Sequence, residues 1–236
     1  MSETLKYFLI LLAIGIVLYI AWTFYSTREV AYMSILLYKN GDADAYLKEL
    51  DSTSARVFFS KKLRVLMSID AWLMKDDKEK IQAAFDRADA YKLRPADRFL
   101  VQQKELTWYI GQNNPDKAKE VFAAMKKNYD KDLTKKQRKS HEAMMQDATY
   151  TNAIQLEHDG KYASELMTRA KNLKDDIPAG VTYYKAAQSY YLKGDKKQCQ
   201  LALEKAEPKL RQTSYHESVE SMLSSKDYST ILNIKA

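Results

Sequence analysis

The sequence predicts an all-α chain, with one apolar helix near the N-terminus followed by a series of short antiparallel helices. Three observations carry this reading. Residues 7–27, YFLILLAIGIVLYIAWTFYST, contain no charge and stand between Lys6 and Arg28. Beyond them lie only five of the 6 glycines and all 4 prolines, too few for the turns of a strand-rich fold. Good helix formers dominate there instead: Ala, Leu, Lys, Glu, Gln and Met. Finally, a polar turn followed by an apolar stripe at helical spacing recurs five times.

The first element is the membrane span. At ~1.5 Å of rise per residue, residues 7–27 cover ~30 Å, the hydrocarbon thickness of a bilayer. A cleaved signal peptide would want a basic start, a short apolar core and a small-x-small cleavage site. Here the start holds one Lys, and the best cleavage match, Ala21-Trp22-Thr23, carries a bulky Trp and leads into Phe24 and Tyr25. A buried core helix is the third reading; length favours a retained single pass. Tyr7 at one end, with Tyr19, Trp22 and Tyr25 at the other, fits the aromatic belts of the two interfaces. Residues 1–27 are therefore expected to anchor the chain in the cell membrane, and 28–236 to form the helical domain. Lys6 and the terminal amine on one side nearly balance Arg28 and Lys39 on the other. The net charge of +7 favours the cytoplasmic side, where the leaflet is anionic.

The helices that follow are punctuated by proline and by capping residues. Pro95, Pro115, Pro178 and Pro208 each stand where a helix begins or ends. Asn114-Pro115-Asp116 reads as an N-cap with Pro at the first helical position, and Thr134 with Gln137 has capping-box spacing. The acid pairs Asp76-Asp77 and Asp175-Asp176 fall at turns, where they cap helices. Aligned on their turns, the segments 38–50, 73–88, 110–125, 156–170 and 192–206 match one another. Four positions after the central turn residue begins a triplet at offsets 0, 4 and 7, on one helical face. The triplets are Tyr46/Leu50/Thr53, Ile81/Phe85/Ala88, Ala118/Phe122/Met125, Ala163/Met167/Ala170 and Cys199/Leu203/Ala206. Their first members are 35, 37, 45 and 36 residues apart.

Over residues 30–208 the chain resembles the tetratricopeptide repeat (TPR) family, whose unit is a helix–turn–helix of about 34 residues. The likeness is best in TYYKAAQSYYLKGDKKQCQLALEKAEP, with Tyr183, Ala186, Ala187, Tyr190, Gly194, Cys199, Leu203 and Ala206 at family positions. Ser34, Thr151 and Ala187 meet the small position of the first helix, where units two and three carry Ile69 and Leu106. Pro208 comes early for the family, and the third-to-fourth step is long. The resemblance implies an α-α superhelical solenoid of about five helix–turn–helix units, its first helices lining a concave groove for an extended peptide or a helix. By register the groove would hold Leu66, Asp70, Gln103, Thr107 and Ala148, and then Asn152, Tyr184, Gln188 and Tyr191. The last four are the candidate partner-binding residues, because Tyr and Gln join contact area to hydrogen bonding. Packing of these tyrosines between helices is the alternative. Lys and Arg are missing from these positions, so the family's carboxylate clamp is not expected.

Catalytic parts are not legible. His141, His158 and His216 each stand alone, without metal-ligand spacing, and are expected on solvated faces or turns. No phosphate loop, nucleophile elbow or Cys–His pairing is visible, so neither enzymatic activity nor a metal or other cofactor is expected, and no small-molecule substrate. The single Cys199 falls on a buried stripe and has no disulfide partner. Residues 126–142 concentrate Lys126, Lys127, Lys131, Lys135, Lys136, Arg138 and Lys139, a candidate patch for anionic surfaces against the simpler reading of a solvated loop. Nucleic acid is not expected, since only Tyr129 interleaves the charge. The expected function is a scaffold at the membrane surface that binds a membrane-associated protein. The alternative is a structural or accessory subunit of a larger membrane complex.

Overall fold

The computed structural model describes residues 3–233, and every regular element among them is helical. The chain divides into two compact units at Leu93/Arg94. The physical cause of that boundary is local. Pro95 opens a helix and holds Arg94 extended at φ −65°, ψ 149°, so no helix can run through.

In the first unit, α1 (Glu3–Ser34) runs without a break past the expected boundary at 27/28 and ends in a single π turn, Ile35–Lys39. It is long and apolar enough to cross a membrane, and the side chains of its apolar window are not buried. Then follow α2 (Ala43–Leu50), α3 (Thr53–Phe58), α4 (Lys61–Lys75) and α5 (Lys78–Asp89). Met33 at the end of α1 and Leu37 in the π turn close over Tyr46, Leu50, Ala55, Phe59 and Ala71. Higher up α1, Trp22 meets Phe58 edge-on at 5.0 Å, and Ser54 donates to Glu29 at 2.9 Å.

The second unit holds α6 (Pro95–Gly111), α7 (Pro115–Lys127), a π turn at Asn128–Asp132 and α8 (Lys135–Gln155). It continues with α9 (Ala163–Asn172), α10 (Asp176–Leu192), α11 (Lys196–Leu210) and α12 (His216–Ser225). Phe99, Leu106, Ala118, Met125, Leu133 and Met145 form one core. Tyr184, Leu166, Cys199, Leu203, Leu210 and Ile231 belong to the other.

One turn recurs through both units. Gly41, Asp76, Asn113, His158 and Gly194 all have left-handed backbones, with φ of 68°, 51°, 54°, 51° and 73°. Each is followed by an Asp or Asn. In four turns that residue caps the next helix: Asp42, Asp77, Asn114 and Asp195 accept from the amides of Ala45, Lys80, Lys117 and Gln198. Asp, Asn and His tolerate the left-handed region better than most residues, so only two of the five turns need glycine.

Behind these turns the stripes are buried at Tyr46, Leu50, Ile81, Phe85, Ala88, Ala118, Met125, Ala163, Ala170, Cys199, Leu203 and Ala206. Phe122 and Met167 are half-buried. Thr53 departs from the expected stripe. Ser52 accepts from the Ala55 amide and starts a new helix, so Thr53 lies on α3, exposed, and not on α2. The long 45-residue step has two sources: the π turn after α7, and the 21 residues of α8 against 17 in α6 and in α10. The Thr134 capping box is complete in both arms, at 2.9 and 3.3 Å. Pro208 lies inside the last turn of α11, two residues before its end.

Candidate functional site

The expected groove residues lie on α8 and α10, and the structure fills their face with the chain's own C-terminal segment. α12 stops at Lys226, whose left-handed backbone (φ 54°) turns the chain away. Asp227 accepts from the Ser229 amide at 2.9 Å and fixes the next turn. This delivers Tyr228 and Ile231, both buried, against α10. The carbonyl of Ile231 then accepts two hydrogen bonds, from the Tyr184 hydroxyl at 2.7 Å and from Gln188 Nε2 at 2.9 Å.

Tyr184 and Gln188 are four residues apart, one above the other on α10, which is why both reach the same carbonyl oxygen. They are buried at 0% and 1% exposure, so neither meets solvent or a partner while the segment is seated. That corrects the expectation of an open groove at these positions. Burial also pushes the Tyr184 hydroxyl above its usual range, with Tyr215 adding to the effect. It therefore stays a neutral donor through physiological pH.

Asn152 is buried too, and donates to Glu157 at 2.8 Å, which ties the end of α8 to its loop. Tyr191 alone of the four is half-buried. It borders a cleft of about 620 Å³ that also touches Ile110, Asn114, Leu156, His158 and Leu232. Of the other positions assigned to the groove, Asp70 accepts from the Tyr38 hydroxyl at 2.9 Å within the first unit, and Ala148 is buried.

Around this face α8, α9 and α10 are held by polar contacts. Lys185, buried on α10, donates to Asp147 at 2.7 Å and to Thr151 at 3.0 Å on α8. Tyr150 donates to Glu165 at 2.6 Å, stands edge-on to Tyr162 at 5.2 Å, and carries the Arg169 guanidinium over its ring. Gly160 supports the approach of the 156–162 loop. A Cβ built there would lie 2.2 Å from the Ser189 carbonyl oxygen of α10.

The basic stretch 126–142 spreads over the end of α7, the π turn and the start of α8. Lys126, Lys127, Lys131, Lys135, Lys136 and Lys139 are exposed. Arg138 is half-buried and donates to the Asp130 carbonyl at 2.7 Å. Among the histidines, His158 sits in a turn, but the other two are less solvated than expected. His141 stacks on buried Phe99 at 5.1 Å, and His216 lies 3.7 Å from Glu207. Among the described residues no three His, Cys, Asp or Glu side chains converge as a metal site. Cys199 is buried, and burial pushes its thiol from 9.0 up to about 12, with Asp195 adding to the rise.

The C-terminal segment is the element that sequence reasoning missed. Its signal, an aromatic at 228 and aliphatics at 231 and 232 behind a polar DYST turn, is too short to show a period. No family model, curated protein or solved structure matches this chain.

Proposed function

We propose that this chain is a membrane-anchored helical-repeat scaffold of the TPR kind. It would be retained in the cell membrane by residues 7–27 and would bind a segment of a membrane-associated protein without catalysis or cofactor. The observation that carries the reading is the double hydrogen bond from Tyr184 and Gln188 to one main-chain carbonyl. A face that holds its own chain by one main-chain carbonyl and the buried Ile231 can hold another segment that presents a carbonyl and an aliphatic side chain in the same turn. Residues 228–232 then act as a resident occupant that a partner displaces. Tyr191 and the cleft beside it are the half-open edge where displacement begins.

The common left-handed turn followed by Asp or Asn supports the repeat reading, and the burial of the stripes behind it supports it further. Tethering in the same bilayer raises the effective concentration of a membrane-bound partner, so the affinity of the face itself can be modest. The basic balance of the chain favours placing the helical part on the cytoplasmic side.

The test uses the full chain in native membranes with a photo-reactive residue in place of Tyr191. A discrete adduct larger than the protein, suppressed by a peptide of residues 226–236, is the expected result. A chain that cross-links only to itself, or that alkaline carbonate releases from the membrane, contradicts the proposal.

A further inference from the structure

The first unit carries a second feature that the scaffold reading does not use. Between α2, α3, α4 and α5 lies a cleft of about 580 Å³ whose lining includes Lys48, Arg56, Lys61, Arg64 and Arg87, with Asp51 as its only acid. Five cations face one carboxylate, so the cleft is electropositive and its like charges repel one another. Asp51 serves two of them, Arg64 at 3.5 Å and Arg56 at 4.0 Å, and is itself largely exposed. Among the described residues Lys48, Lys61 and Arg87 form no ion pair.

Arg64 is the most enclosed of the five. Its Nη1 donates to the Leu50 carbonyl at 3.2 Å, closing the end of α2. Its Nε is sealed from solvent and has no acceptor. A buried guanidinium donor left without a partner costs free energy. Leu47, Val65 and Trp72 supply an apolar wall to the same cleft.

The height of the cleft relative to the anchor follows from α3. Phe58 packs on Trp22, at the end of the apolar stretch where the interfacial aromatics gather. Arg56 and Lys61 lie two residues before and three after Phe58. Beside them Val57 and Leu63 are exposed at 56% and 42%, apolar side chains suited to the boundary of a bilayer. With α1 as the span, the cationic cleft opens at the level of lipid phosphates.

We propose that this cleft binds a phosphate group, with Arg64 and Arg56 gripping its oxygens and Lys48, Lys61 and Arg87 compensating its charge. The source is the headgroup of an anionic phospholipid, whose acyl chains would lie along the wall of Trp72, Leu47 and Val65. Arginine suits the role because its fork of donors matches phosphate oxygens. The lipid source rests on α1 being the retained anchor; the phosphate site itself does not.

The test uses the full-length protein in neutral detergent at constant ionic strength. Its melting is followed on addition of phosphatidylglycerol, phosphatidylcholine, glycerol 3-phosphate or inorganic phosphate. Phosphatidylglycerol is expected to raise the melting temperature at a concentration about tenfold below that of any other additive. The response should be lost in Lys61→Gln with Arg87→Gln, a pair that caps no helix, and in Arg64→Gln. If glycerol 3-phosphate or inorganic phosphate acts at the lower concentration, the phosphate site stands and its ligand is a soluble one. If no anion acts differently from phosphatidylcholine, or if the Lys61/Arg87 variant responds like the parent, the proposal is overturned.

Discussion

Residues 43–89 and residues 176–233 use the same turn and the same stripe but surround them differently. In the first stretch the helices are as short as 8 and 6 residues, and a cationic cleft stays open between them. In the second, α10 and α11 of 17 and 15 residues are sealed on the α10 face by the chain's own tail. From Tyr183 to Ser189 every residue of α10 is buried, including Lys185, Gln188 and Ser189. The difference lies not in the turn or the stripe but in what covers the helices beside them. Along α10, Tyr228 and Ile231 supply that cover.

A charge placed in either stripe has the largest expected effect. Ala163→Asp buries an unpaired carboxylate at a position with no exposure. The expected loss is several kcal/mol, on the scale of the ~5–15 kcal/mol that hold a whole domain together. Ala88→Asp should do the same to the first unit. If the two units fold independently, limited proteolysis will find residues 3–93 intact in the first variant and residues 94–233 intact in the second.

A smaller effect is expected where the turns differ. Gly194 and Asp76 hold equivalent left-handed backbones. Gly194→Ala should cost ~1–2 kcal/mol, and Asp76→Gly should be neutral or stabilising, because glycine alone enters that region without penalty. Thermal melting of the two variants checks both signs. Equal destabilisation would mean that the turns are not equivalent.

The sealed unit should also be sensitive to alkali. Burial raises the Cys199 thiol from 9.0 to about 12, and raises Tyr184 as well. The folded state then keeps protons that the unfolded chain releases. The stabilisation is fully present below pH 9 and falls as pH rises from 9 toward 12. Thiol alkylation at pH 8 should accordingly be slow in the native protein and fast in denaturant. Rapid native labelling would show that Cys199 is reached through local opening. The smallest effect belongs to the surface: Lys131→Gln with Lys135→Gln should change stability by less than ~0.5 kcal/mol. Liposome co-sedimentation will show whether these exposed lysines contribute to an anionic surface at all.

Much of the helical pattern was legible because capping and stripe residues are local. The caps at Asn114 and Thr134 with Gln137, and the stripes of Ile81, Ala118 and Cys199, follow from spacing alone. The rule of the turn is hidden because four residue types fill its five positions: Gly41 and Gly194, Asp76, Asn113, and His158. The break between α2 and α3 was missed because Ser52 competes with helix continuation only through its own side chain. The groove residues lie on the helices that their spacing predicts, but their surroundings come from a distant part of the chain. Tyr184 and Gln188 meet Ile231, 47 and 43 residues further along the chain, and no local pattern encodes such a pairing.

If the face of α10 holds a segment presented in a turn, a peptide will occupy it once the chain's own tail is removed. The chain is ended after Asp227, and a peptide of residues 226–236, KDYSTILNIKA, is titrated into it. Saturable binding that restores the melting temperature of the full chain is expected. The same peptide with Ile231→Asp should fail to bind, and a Tyr184→Phe, Gln188→Leu face should hold the parent peptide about tenfold more weakly or worse. A folded, truncated chain that ignores the peptide, or that binds the Ile231→Asp version equally well, would mean that the α10 face does not hold such a segment.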